Sequence, residues 1–96
     1  MNETGREKPA LLIIDMVKDY FDASKKSPLT QLAKPIIDPI NRMSAAFRLH
    51  NRPVVFSTDS FHGDHFFFKS RMRPHAIAGT PGAEIIDALD RRPEDY

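Results

Sequence analysis

A chain of 96 residues is enough for one small domain, and 41% hydrophobic with 28% charged residues is an ordinary globular composition rather than a disordered one. The 14 basic and 13 acidic residues are scattered and leave a formal net charge of +1, too weak a field to select nucleic acid or an anionic lipid surface. No cysteine is present, which excludes disulfides, a cysteine nucleophile and thiolate metal ligands within these residues.

Residues 1–8 are polar and charged and read as a flexible N-terminus. The first apolar run, Ala10 to Ile14, is too short for a signal-peptide core or a membrane span, so the expectation is a cytoplasmic chain with no membrane partner. Pro9-Ala-Leu-Leu-Ile-Ile-Asp15 is a continuous apolar run of strand length ending in a carboxylate, the pattern of a strand buried on both faces. Lys18 to Leu29 is polar, is broken by Lys25-Lys26-Ser27-Pro28 and reads as loop.

Between Leu32 and Arg48, Ile36, Ile40, Met43 and Phe47 recur at spacings of four, three and four, which predicts a helix with one buried stripe. Pro35 suits a first helical turn; Pro39, which lacks an N–H, requires a start near Asp38 or an irregular first turn. His50-Asn51-Arg52-Pro53 closes the helix, and Pro53-Val-Val-Phe-Ser-Thr-Asp59 predicts a second buried strand, again ending in aspartate. A strand, helix and strand in this order form a right-handed βαβ unit with parallel strands. If the strands are neighbours, about 4.8 Å apart, Asp15 and Asp59 share the carboxyl edge, where open α/β sheets bind ligands.

Ser60 to Ala78 is a histidine-rich, aromatic loop. Its Lys69, Arg71 and Arg73 beside Phe66, Phe67 and Phe68 form a mixture that can stack on single-stranded bases, but the reading adopted is a loop that packs its rings and exposes its charges, with no nucleic-acid partner. Thr80 is placed as the N-cap and Pro81 as the first residue of a last short helix carrying Ile85, Ile86 and Leu89. Arg91 to Tyr96 reads as the turn before another strand.

Two groups can carry chemistry. Asp15, after four large apolar residues, is placed either to act as a general base or to cap the following turn. Asp59, His62, Asp64, His65 and His75 are hard or borderline ligands suited to zinc, iron or manganese, although a histidine in a polar loop is more often solvated or bonded to backbone than metallated. Gly79 and Gly82 follow a loop rather than a strand and make no phosphate-binding fingerprint.

In their order, Ala10-Leu-Leu-Ile-Ile-Asp-Met16 with Asp19-Tyr-Phe21, Pro53-Val-Val-Phe56 leading to Thr58-Asp59-Ser60, and Pro74-His75-Ala76 before Gly79-Thr-Pro-Gly-Ala-Glu84 closely resemble the isochorismatase-like hydrolases, among them nicotinamidases and N-carbamoyl amidohydrolases. The likeness runs from Pro9 to Tyr96 and implies an α/β fold, the first half of a parallel-sheet three-layer domain, over residues 9–96. It also implies an Asp, Lys and Cys triad in which the cysteine attacks an amide or related carbon. Asp15 matches the aspartate and Phe21 takes a substrate-binding position, while the lysine and cysteine are expected beyond Tyr96; Lys69 is not a positional match. In nicotinamidase-type members an Asp-x-His pair and a later His bind a metal. Asp59 and His75 match, but Phe61 stands where the pattern has His, and His62 falls one place late.

Three functions follow. The first is the N-terminal part of a hydrolase for a C–N bond or vinyl ether of a small molecule, completed by a second polypeptide half or by more of the same chain. The second is a non-catalytic truncated module for binding or homo-oligomerisation. The third is a small hydrolase using a divalent metal on Asp59, His62 and His75.

Overall fold

The computed structural model describes residues 8–22, 24, 28–64 and 75–96. Residues 1–7, the Lys25 to Ser27 break, and the segment with His65, Phe66 to Phe68, Lys69, Arg71 and Arg73 lie outside the described residues. Strand β1 (Leu11–Ile14) and strand β2 (Val54–Ser57) pair in parallel, with Leu11 opposite Val54 and Ile14 opposite Ser57. Both apolar runs become strands, shorter than the predicted Pro9 to Asp15 and Pro53 to Asp59. Proline cannot donate to a ladder, and Asp15 turns out of extended geometry at φ 61°. The Pro53 carbonyl still accepts from Leu11 N–H at 2.9 Å, and Ser57 carbonyl accepts from Asp15 N–H at 2.8 Å.

The crossover is helical. Helix α1 (Pro28–Ala33), one turn of 3-10 helix (Lys34–Ile36) and helix α2 (Ile37–Leu49) run on without a break. Pro35 lies in the 3-10 turn and Pro39 in the first turn of α2, whose N–H groups have no acceptor within that helix, so neither proline removes a bond of α2. The polar stretch from Lys18 is likewise not all loop: Lys18–Phe21 forms a 3-10 turn, and α1 begins at Pro28. Helix α2 ends in a Schellman motif. Asn51 takes φ 58°, its N–H donates to Arg48 carbonyl at 3.0 Å, and Arg52 N–H donates to Phe47 carbonyl at 2.8 Å.

One face of the sheet carries the core. Ile13, Met16, Val54, Ile86 and Leu89 form its centre, and Leu11, Phe21, Ile37, Ile40, Phe47, Phe56 and Ile85 pack around it. Each fully buried aliphatic side chain contributes roughly 1.5–3 kcal/mol. The predicted stripe is rotated, because Ile36 and Met43 are exposed while Ser44 is buried. Ser44 Oγ donates to Asn41 carbonyl and accepts from Arg48 Nη1; Asn41 bonds Ala88 carbonyl at 2.9 Å and Asp90 N–H at 2.9 Å. A polar row therefore faces inward, satisfied by the returning backbone of 88–90.

The last segment is not the expected helix. Pro81–Ala83 is a three-residue 3-10 turn, and Thr80 Oγ1 donates back to Ile77 carbonyl at 2.7 Å instead of capping it. Ile85 bridges Val17 in antiparallel fashion, and Ile86 N–H donates to Met16 carbonyl at 3.0 Å. The apolar positions read as helical thus serve a segment laid along 16–18. Tyr96 then reaches the outer edge of β2: its N–H donates to Val54 carbonyl at 3.0 Å and its carbonyl accepts from Phe56 N–H at 2.8 Å, the pair of bonds of a parallel bridge. Arg91 to Tyr96 is in this sense the approach to a strand position, as the sequence predicts.

Candidate active site

The parallel register brings Asp15 and Asp59 to one edge. Asp15 follows directly on β1, and its φ of 61° is the left-handed conformation that aspartate tolerates better than most residues. The half-buried carboxylate turns toward β2, where Oδ1 accepts from Asp59 N–H at 3.2 Å. The bond ties Asp15 to the backbone just past the end of β2. Among the described residues neither Asp15 nor Asp59 forms an ion pair.

Tyr20 lies in the field of both. Its hydroxyl is held above the usual tyrosine range first by burial and then by the negative charges of Asp15, Asp59 and Asp19, which disfavour the phenolate. Its backbone is fixed by Thr30, a buried residue of α1 whose Oγ1 donates to Tyr20 carbonyl at 2.9 Å. The Tyr20 ring meets His75 with centroids 5.7 Å apart, and Phe61 meets the His75 ring edge-on at 5.4 Å. Phe61 is held by a parallel bridge to Ile77, with Phe61 N–H donating to Ala76 carbonyl and Ala78 N–H to Phe61 carbonyl.

The sequence-predicted residues are thus only partly brought together. Asp15 and Asp59 are neighbours. His75 is half-buried among aromatic rings, and Asp59 and His62 are exposed. Among the described residues no three His, Asp or Glu side chains are grouped to hold a metal ion, so Asp59, His62 and His75 are not arranged as the expected ligand set. Phe21 packs against the core and borders a shallow hollow of about 400 Å³ with Lys18, Asp19 and Gly82. Sequence reasoning misses Tyr20 because it reads the segment as loop. In a 3-10 turn, at three residues per turn, adjacent side chains diverge by about 120°, so Tyr20 and Phe21 cannot both face the strand ends.

Comparison with known proteins gives the same answer from sequence and from structure. The sequence profile of the isochorismatase domain matches residues 9–96. The nicotinamidase/pyrazinamidase of Mycobacterium tuberculosis is 32% identical, over 84% of this chain and 45% of its own length. The crystal structure of N-carbamoylsarcosine amidase from Thermoplasma acidophilum aligns with a TM-score of 0.75 at 30% sequence identity, covering 94% of this chain and 50% of that one. The chain spans about half the length of the relatives it matches.

Proposed function

The chain belongs to the isochorismatase family, and from that premise we propose that it supplies the aspartate side of a hydrolase site for an amide or related C–N bond of a small molecule. The observation that carries this reading is the placement of Asp15: a left-handed, half-buried carboxylate at the end of a parallel strand, with no cation against it among the described residues. Such a group can accept a proton from a nucleophile brought to within hydrogen-bond reach. The nucleophile is a cysteine outside these 96 residues, which contain none, and the lysine of the triad also lies outside them. Asp15 takes the thiol proton as sulfur attacks the carbonyl carbon, and returns it to the leaving nitrogen. Water then releases the acyl group. Among the described residues the donors at Asp59, His62 and His75 are not grouped for a metal, and none of these steps runs through one.

The test is a chimera in which residues 9–96 replace the corresponding half of the Thermoplasma acidophilum amidase, assayed beside the 96-residue chain on a panel of small amides. The chimera is expected to turn over, to lose activity on thiol alkylation and to lose it in Asp15→Asn; the chain alone is expected to be inert. A chimera that folds, keeps its cysteine and hydrolyses nothing, or a chain that hydrolyses alone, removes the reading.

A second reading, a module that pairs with another polypeptide, is favoured by the outer face of the sheet. Leu12 and Ile14 are 53% and 57% exposed there, although a strand of this composition is suited to burial on both faces.

A further inference from the structure

We infer that Asp19 is a positioning residue that clamps His75 and Tyr20 together as a wall of the Asp15 site, with Gly82 as the gap that admits its carboxylate; this rests on the reading of Asp15 as the hydrolytic base. Asp19 Oδ2 accepts from Ala76 N–H at 2.7 Å. The neighbouring residues repeat the contact one step along: the Tyr20 ring lies against the His75 ring, 5.7 Å between centroids. Two adjacent residues of the 3-10 turn thus hold two adjacent residues of the returning segment, which fixes both its position and its direction.

The backbone at this point is held in a costly state. Ala76 is fully buried with φ 47°, in the left-handed region that a residue with a Cβ enters at roughly 1–2 kcal/mol. A charge-assisted bond from its N–H to a carboxylate helps hold it there, beside the bond its carbonyl accepts from Phe61 N–H. Gly82 explains how the carboxylate fits, because a Cβ built on Gly82 would overlap the Asp19 carboxylate. The second glycine of Gly79-Thr-Pro-Gly82 is thus required by a side chain on another segment, not by its own turn.

Downstream of the clamp, Ala76 carbonyl accepts from Phe61 N–H at 2.9 Å, so fixing Ala76 also fixes Phe61, and the Phe61 ring closes on His75 at 5.4 Å. Asp19 acts through Ala76, and its effect on hydrolysis is on substrate placement rather than on proton transfer.

The test reads His75 directly. In the 96-residue chain, the His75 ring protons are expected to show ring-current shifts from Tyr20 and Phe61 in the proton NMR spectrum. Asp19→Ala is expected to return them to the positions of an exposed histidine, and Asp19→Asn, which keeps an acceptor for Ala76 N–H, to restore them. Gly82→Ala is expected to give the Asp19→Ala spectrum while the β1 and β2 amides stay protected, which keeps the test decisive if Asp19→Ala unfolds. In the chimera, Asp19→Ala is expected to raise KM about tenfold with kcat changed little, the size of one lost hydrogen bond to a charged group. A wild-type spectrum without the His75 shifts, shifts that survive both Asp19→Ala and Gly82→Ala, or an Asp19→Asn that fails to restore them, overturns the clamp. An inert chimera leaves those shifts standing and removes the hydrolase reading alone.

Discussion

Two groups of carboxylates in this molecule are built in opposite ways. Around Arg48 the charges are matched: Asp95 takes Nε and Nη2 at 3.0 and 2.6 Å, Arg48 Nη1 lies 3.6 Å from Asp90, and Asp90 accepts from Arg92 at 2.9 Å. At the carboxyl ends of the strands, Asp15 and Asp59 form no ion pair among the described residues, and Asp15 leaves normal backbone geometry to be where it is. Among the described residues the first group is tied by ion pairs and the second by a backbone N–H alone. The matched set holds α2 to residues 90–95; the strand-end set lies at the carboxyl edge of the sheet, where open α/β sheets bind ligands.

The largest expected difference lies in what removing one charge does to each set. In the chimera, Asp15→Asn is expected to lower kcat/KM by roughly 10²–10⁴, the usual contribution of a general base, while the melting temperature hardly moves because no ion pair among the described residues is lost and Asn keeps an acceptor for Asp59 N–H. A variant that keeps its turnover would take Asp15 out of the mechanism. A variant that keeps its turnover and melts early would make Asp15 a structural tie to the end of β2.

Arg48→Ala should do the reverse. The Asp95 side chain is only 6% exposed, so losing the guanidinium strands a buried carboxylate, and the expected cost is about 3 kcal/mol in urea unfolding. An Arg48→Ala chain with an unchanged urea midpoint would mean the seam between α2 and the last segment is held by Asn41 and the core alone.

The contrast between the two regions also marks what can be read from sequence. The strands are legible because Leu11 to Ile14 and Val54 to Phe56 are apolar runs bounded by proline or aspartate, and parallel pairing follows from the crossover length. Asp15 and Asp59 come with them, since strand ends fix position. The inward face of α2 is not legible: Asn41, Ser44 and Arg48 look like a solvated row until the partners at 88–95 are known. Nor is the Asp19 and Gly82 contact, which joins residues far apart in the chain and leaves no periodic trace in either segment. Ile85, Ile86 and Leu89 mislead for a related reason: their spacing fits a helix, but Val17 and Met16 offer backbone partners that hold the segment extended.

Acid sharpens the comparison further. Arg48's hydrogen bond, against the cost of burial, holds the Asp95 carboxyl below its usual value of 3.8. A carboxylate whose folded pKa is depressed adds stability above the unfolded value and loses it as pH falls toward the folded one. The Asp95 contribution is therefore complete at neutral pH and fades below about pH 4. Stability of wild type and Asp95→Asn, measured from neutral pH down to pH 3, should converge in that range. A constant gap between them would show that Asp95 acts through its shape and not its charge.

The smallest effect tests whether the unmatched carboxylates act on Tyr20. Burial raises the Tyr20 pKa first, and Asp15, Asp59 and Asp19 raise it further by repelling the phenolate, with Asp15 the strongest of the three charges. The chain has two tyrosines, so in a Tyr96→Phe background phenolate absorbance reports Tyr20 alone. Replacing Asp15 by Asn there removes one negative charge and leaves the burial, so the titration should move down toward the ordinary tyrosine value without reaching it. Arg48→Ala in the same background should not move it, because the charges that act on Tyr20 are those of the strand ends and the 3-10 turn. Because a neutral tyrosine is favoured in the fold, this contribution to stability is intact below the ordinary tyrosine pKa and is lost as pH rises through the folded one. The titration therefore has to be read on chain that is still folded, with backbone circular dichroism followed in parallel. An Asp15→Asn titration that coincides with wild type would separate Tyr20 from Asp15, and with it the aromatic wall from the strand end that is proposed to carry the chemistry.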